Sequence, residues 1–302
     1  MPTYREYSAR LDSMGGMRRV TSTMKMVAAS HLHRAQAELK RAGPYGLALA
    51  ALLRNLQPDQ EERAANRLLA GAARADGALL VVVTSDRGLC GACNANVQRA
   101  ARRWTGETRA RFRSLRAVFV GRKGRLALQR DIEARGETRP MPAHPSLAEA
   151  LALARTVTAA FRKGHYDEVY LAHNLFVSPF VSHAHVDRLL PVAWPPPDEA
   201  AGRPAPALKD ATRLPSGPAP LFEPDRARLL EQALLRWIEF RVFEALLHSV
   251  AAEHAARVIA MENATTNLRR LEAELTQLRN RARQASITNE LAEIVGGAEA
   301  LA

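Results

Sequence analysis

Cysteine is nearly missing from this chain: the 302 residues contain two, Cys90 and Cys93. No disulfide framework can therefore hold the fold, which must rest on buried apolar surface. Long hydrophobic runs are missing as well. Runs such as the six-residue ALLVVV fall far short of the roughly 18 residues that a membrane-spanning helix needs. The opening MPTYREYSARLDSM lacks the apolar segment of a secretory signal. A cytoplasmic setting with at most an indirect membrane link is expected. Aromatic residues make up only 5%, too few to interleave with basic residues as a nucleic-acid surface does. Neither G-x-G-x-x-G nor G-x-x-x-x-G-K-[ST] occurs, so the two commonest phosphate-binding loops are excluded. No Ser-His-Asp or paired-carboxylate arrangement stands out, and the chain reads as non-catalytic, without a cofactor or metal.

What is present is apolar substance and positive charge. At 47% hydrophobic residues the chain can bury one or two sizeable cores, and its length suggests two parts at about 150 residues per domain. Lysine and arginine number 43 against 31 acidic residues, a net +12 that favours an acidic partner. The arginines are scattered along the chain, which separates this pattern from a nucleic-acid groove.

Both ends read as long helices. Thr3-x-x-Glu6 is a capping box, and the segment then runs without proline to Ala42, where GPYG interrupts it. Its apolar side is traced through Tyr7, Leu11, Met14, Met17, Val20, Met24 and Val27, with Gly15 and Gly16 each weakening the helix by about 1 kcal/mol relative to Ala. From Asp225 to Val295 there is neither Gly nor Pro, and Leu268, Leu271, Leu275, Leu278, Ala282 and Ala285 alternate in steps of three and four, a coiled-coil seam. Such a helix extends roughly 100 Å, so most of it is expected to project from a domain. Between the helices, ALLVVVT (78–84), LRAVFVG (115–121) and DEVYLAH (167–173) are strand-like, and 94–104 and 146–163 are helical; this alternation predicts a parallel α/β unit. VSHAHVDRLLPV (181–192) fits an added antiparallel edge. The expected organisation is an N-terminal coiled-coil helix over 1–57, a Rossmann-like α/β domain over 76–193, a Pro-rich loop over 194–221 and a long C-terminal coiled-coil helix over 222–302.

Cys90-x-x-Cys93 has the spacing of a redox pair or of half a zinc site, but no second cysteine pair accompanies it. The plainer reading is a turn after a buried strand, with Asp86-Arg87-Gly88 reversing the chain and Asn94 capping the next helix. His183 and His185, on one face of a strand, are the residues that would complete a Cys₂His₂ site. His31 and His33 point to different sides of a helix and cannot chelate together. GRKGR, from Gly121 to Arg125, is the nearest thing to a phosphate cradle and reads more simply as a turn.

Four blocks then resemble one family. TSTMKMVAASHLHRAQ (21–36), SDRGLCGACNANV (85–97), the segment 166–191 and above all the segment 254–301 are similar to the γ subunit of F-type ATP synthases. In that family the position of Cys90 commonly carries Cys, whereas Cys93 stands where an apolar residue is usual. The resemblance implies an antiparallel coiled coil passing through a ring of three α and three β subunits, and an α/β domain on the c-ring. As a rotor it would transmit torque between the ion-driven ring and the catalytic hexamer, each orientation favouring a different set of site conformations. It implies that Met24 and Lys25 lie near acidic loops of the β subunits. Arg257, Gln284, Thr288 and Glu290 would contact the α and β subunits, and Phe222 and Glu223 the c-ring and the ε subunit. Membrane association would be peripheral, on the cytoplasmic face of a bacterial inner membrane. A basic coiled-coil nucleic-acid binder and a C-x-x-C redox protein remain the alternatives.

Overall fold

The computed structural model describes residues 3–72, 75–134, 138–194, 196 and 225–300, with side chains to 296. The chain forms two compact units, one of Met1–Ala29 with Arg257–Ala302 and the other of Ser30–Ala256. Two long helices, α1 (Tyr4–Leu56) and α7 (Arg226–Ala300), supply segments to both. The expected capping box opens α1: the Glu6 amide donates to Thr3 Oγ1 at 3.4 Å and the Thr3 amide to Glu6 Oε2 at 3.3 Å.

The expected break at GPYG does not occur, because α1 continues through Pro44. An interior proline costs a helix about 3 kcal/mol. Beyond it, Leu49, Leu53 and Leu56 are buried in the main core, at about 1.5–3 kcal/mol each, which outweighs the proline. Gly46 is required on the same stretch, since a Cβ there would lie 2.3 Å from the Phe240 ring.

The second unit holds a five-stranded sheet in the order β3-β2-β1-β4-β5. Its strands are β1 (Gly77–Val83), β2 (Ser114–Val120), β3 (Glu133–Ala134), β4 (Glu168–Ser178) and β5 (Val181–Leu190). β1 is the apolar run of the sequence and is buried along its whole length, as a central parallel strand must be. Its odd-numbered residues Leu79, Val81 and Val83 join a core with α1, α6 (Leu147–Arg162) and α7. Ala78, Leu80 and Val82 face a second core with Val97 and Ala101 of α4 (Cys93–Thr108) and Leu128 of the short helix α5 (Arg122–Leu128). β4 runs longer than the sequence pattern suggested and pairs antiparallel with β5, the expected edge. Two further short helices, α2 (Gln60–Ala65) and α3 (Arg67–Ala70), precede the sheet. Most of the Pro-rich segment 194–221 lies outside the described residues.

Candidate functional site

In the coiled-coil unit the helices run antiparallel. Lys25 Nζ lies 2.5 Å from Glu262 Oε2, Thr265 Oγ1 donates to Thr21 Oγ1 at 3.0 Å, and Arg18 Nε meets Glu272 at 3.1 Å. Descending α1 thus means ascending α7. The inward positions of α1 are Tyr7, Leu11, Met14, Arg18, Thr21, Lys25 and Ala28, a strict heptad alternation, faced by Met261, Thr265, Leu268, Glu272, Leu275, Arg279 and Ala282 of α7.

This seam differs from the expected one. Met17, Val20 and Val27, assigned inward from their apolarity, are exposed, and so are Leu271, Leu278 and Ala285. A register error of one residue turns a helix face by about 100°, and here the polar Arg18, Thr21, Lys25 and Glu272 share the seam with apolar residues such as Leu11, Leu268 and Leu275, while other apolar residues look outward. Thr21 and Thr265 hydrogen-bond across the seam at 3.0 Å, and the long Arg18, Lys25 and Glu272 side chains bridge the flanks. The hydrogen bond and charge of Lys25 hold the Glu262 carboxyl below its ordinary value.

The site residues inferred from sequence fall into three groups. Met24 and Lys25 are half-buried along the seam, beside the outward Met26 and Val27. Arg257 is buried, at 8% exposure. Gln284, Thr288 and Glu290 lie beyond the reach of α1, where α7 continues as a single helix and every residue to Gly296 is exposed. Their side chains bond within the helix, Thr288 Oγ1 to the Gln284 carbonyl at 2.9 Å and Ser286 Oγ to Glu290 at 3.2 Å. Phe222 and Glu223 lie outside the described residues. Two helices alone bury one seam each, so an uncovered apolar stripe is expected from sequence, but not its members: Met17, Val20, Met26 and Val27 on α1, and Ile287, Leu291, Ile294 and Val295 toward the end of α7. The signal was the strict 7-11-14-18-21-25-28 spacing, which includes polar positions.

In the α/β unit, the end of β1 beside β4 is where strand order reverses, the crevice in which doubly wound folds hold ligands. Here it is filled: Cys90 and Cys93 are buried against Ala252 of α7. The cysteines are free thiols. Asn94 does not cap α4, whose N-cap is Ala92; it fastens the loop instead, accepting from the Ser85 amide at 2.9 Å and donating to Ser85 Oγ at 2.7 Å and Cys90 Sγ at 3.2 Å. Cys93 Sγ accepts from Asn174 Nδ2 at 3.1 Å, on the opposite face of β4 from His173. The imagined Cys₂His₂ site is therefore not assembled, because His185 pairs with His173 across the strands. GRKGR makes no phosphate cradle either. Its amides are taken by the Asp86 carboxylate (Arg122, 2.9 Å), the Ser85 carbonyl (Lys123, 3.1 Å) and Thr84 Oγ1 (Gly124, 2.8 Å). His31 stacks on His254 at 4.9 Å while His33 is exposed, so the two do diverge.

An antiparallel coil and a doubly wound α/β unit, both built from the same terminal helices, define the class of central-stalk subunits. Comparison with known proteins narrows the class. The chain belongs to the ATP synthase gamma chain family: the family model described as ATP synthase matches residues 3–301. It is 40% identical to the ATP synthase gamma chain of Anaeromyxobacter sp. (strain K) over 304 residues, covering 100% of both chains. Against the gamma chain of Geobacter sp. (strain M21) it is 37% identical over 301 residues, covering 100% of this chain and 99% of the relative. Among solved structures it is similar to a chain from the central stalk and c-ring of the Tetrahymena thermophila mitochondrial ATP synthase, with a TM-score of 0.59 and 25% identity, over 81% of this chain and 99% of that one. A chain of the Euglena gracilis mitochondrial ATP synthase shares the fold at a TM-score of 0.64 and 19% identity, over 99% of this chain and 94% of that one.

Proposed function

We infer that this chain is the non-catalytic rotor subunit of an F-type ATP synthase, passing torque between an ion-driven c-ring and an α₃β₃ hexamer. The observation that carries the reading is the apolar outer face of the coiled coil. Isolated two-helix coils hide their apolar residues in the seam, whereas this one turns Met17, Val20, Met26, Leu271 and Leu278 outward. Residues of that kind need a sheath, and the bore of a hexamer supplies one.

On this reading Met24 and Lys25 face acidic loops of the β subunits, and a net charge of +12 draws the shaft toward them. Gln284, Thr288 and Glu290, on the single-helix stretch, engage the surrounding α and β subunits, with Arg257 lower on the same helix. Phe222 and Glu223 meet the c-ring and the ε subunit. Among the described residues no helix is long and apolar enough to cross a membrane. Attachment is then peripheral, through the c-ring, on the cytoplasmic face of a bacterial inner membrane.

Coexpression with the α, β and ε subunits of the same enzyme tests the reading. One copy of the chain per α₃β₃ hexamer is expected, and a bead fixed to it should rotate when ATP is added to an immobilised hexamer. A hexamer that excludes the chain, or hydrolyses ATP with the bead stationary, would overturn the proposal. Sequence-selective DNA binding at physiological salt would favour the basic coiled-coil reading instead.

A further inference from the structure

The β4–β5 hairpin carries a cluster that the rotor function leaves unused. His173 and His185 sit directly opposite each other across the two strands, and Asp187, two residues further on, shares their face. Their candidate ligand atoms all lie within 4.8 Å of one another. His185 Nε2 is 2.7 Å from Asp187 Oδ2 and His173 Nε2 is 3.4 Å from it. His173 is 2% exposed, so its ring nitrogen has no recourse to water.

The other ring nitrogens lie beside backbone carbonyls. His173 Nδ1 is 3.3 Å from the Asn174 carbonyl and His185 Nδ1 is 3.4 Å from the His183 carbonyl. With Nδ1 donating to its carbonyl, each neutral ring offers an Nε2 lone pair; in the absence of a cation His185 Nε2 donates to the Asp187 carboxylate at 2.7 Å, a bond that raises the His185 pKa. A cation that displaces the proton shared by His185 Nε2 and Asp187 would find three ligand atoms, two nitrogens and a carboxylate oxygen, within 4.8 Å of one another. Backbone carbonyls at the far nitrogen are also how metal-binding histidines are oriented.

We propose that His173 Nε2, His185 Nε2 and the Asp187 carboxylate form a three-ligand site for a divalent transition cation of the Zn²⁺ class, with water in the fourth position. Imidazole nitrogens with one carboxylate suit Zn²⁺, Co²⁺ or Ni²⁺ rather than Mg²⁺ or Ca²⁺. Bonds of about 2.0–2.1 Å in a tetrahedron place ligand atoms roughly 3.3 Å apart. The 3.4 Å separation already fits, and the 2.7 Å one opens by a small rotation of His185, which is partly exposed.

The charges packed against the cluster permit a cation. Arg241 of α7 lies 3.9 Å from Asp187 Oδ2 but is held more closely by Glu244, at 2.5 Å, which leaves the Asp187 carboxylate open to a cation. His248, also on α7, accepts the Phe176 amide at Nδ1 at 3.2 Å; burial, with the nearby His173 and Arg241, pushes its pKa down to about 3, so it adds no charge. A metal here would clamp the edge strand β5 to β4.

The test uses the full chain without an affinity tag and Co²⁺ as probe, followed by Zn²⁺. One Co²⁺ per chain is expected, with visible ligand-field absorption that Zn²⁺ displaces. His185→Gln and Asp187→Asn should each weaken binding by at least about tenfold, while His183→Gln and the Cys90→Ser/Cys93→Ser double variant leave it unchanged. Zn²⁺ should raise the melting temperature of the wild type and not that of His185→Gln. Absence of stoichiometric Co²⁺ uptake overturns the proposal, as does uptake that survives both ligand substitutions. If a substitution unfolds the chain, the wild-type spectrum decides: nitrogen and oxygen ligation supports the site, and intense thiolate charge-transfer bands reject it in favour of the cysteines.

Discussion

In the α/β unit Leu79, Val81, Leu234 and Ile238 are fully buried, while in the coiled-coil unit Arg18, Thr21, Lys25, Glu272 and Arg279 occupy the seam. The first unit has the interior of a self-sufficient domain. The second is held by a seam of mixed polar and apolar residues and by flank ion pairs such as Arg18–Glu272, which at partly exposed positions are worth about 0–1 kcal/mol each. Stability resides in one unit and the material for contact in the other.

Glycine offers the sharpest way to break this comparison. A Cβ on Gly121 would lie 2.0 Å from the Thr84 carbonyl oxygen, at a backbone φ of +88°. Gly121→Ala should therefore cost at least about 4 kcal/mol, read as a lower urea midpoint or as failure to fold. A Cβ on Gly16 of the coil meets nothing within 4 Å. Gly16→Ala should instead stabilise α1 by about 1 kcal/mol, seen as increased helicity and a higher midpoint. Equal signs for the two would show that the units share one packing regime.

Leucine gives the next test. Leu234→Ala, at a position 0% exposed, should cost about 2–5 kcal/mol through the cavity it leaves. Leu278→Ala, at 40% exposure, should change the stability of the isolated chain by less than about 0.5 kcal/mol. Its effect belongs in assembly, as weaker retention of the chain by the α₃β₃ hexamer in a pull-down.

Met24→Lys probes contact without disturbing folding. A new charge-assisted bond to an acidic β-subunit loop is worth about 1.5–3 kcal/mol, and escape from the deepened well should slow ATP hydrolysis and ion pumping roughly ten- to a hundredfold. The melting temperature of the isolated chain should stay within a few degrees. Unchanged turnover would place Met24 among packing residues.

The smallest effect is a pH dependence confined to the α/β unit. Burial, then the hydrogen bond to Glu168 at 2.5 Å, raises the Tyr170 phenol to about 12. Its folded pKa exceeds its unfolded value, near 10, so its contribution is complete below about pH 10 and is lost as pH rises toward 12. The difference in urea midpoint between wild type and Tyr170→Phe should shrink across that window. A difference that stays flat would remove Tyr170 from the alkaline behaviour.

The α/β unit was legible in the sequence because its strands are buried on both faces: 78–84 and 115–121 coincide with β1 and β2 to within a residue. Helix continuity through Pro44 was not, since tertiary burial of Leu49, Leu53 and Leu56 decided it. In the coil, the rule that apolar residues face inward placed Met17, Val20, Leu271 and Leu278 on the wrong side, because none of the described residues covers them. The cluster at His173 and Asp187 was half visible: His185 was singled out, but its partners depend on strand register, which spacing alone does not reveal.

The order in which the polypeptide is made gives the chain's division a temporal side. The coiled-coil unit takes its first strip from Met1–Ala29 and its second from Arg257 onward, so the ribosome must deliver all of Ser30–Ala256 in between. At translation rates of about 5–20 residues per second, α1 waits roughly 10–45 s for its partner helix. During that interval the inward Leu11, Met14 and Ala28 have no antiparallel neighbour, and the nascent N-terminus is a natural client for a holdase. A premature stop at Arg257 would leave every strand of the sheet encoded while deleting half of the coil, so truncated messages yield an α/β unit trailing one bare helix.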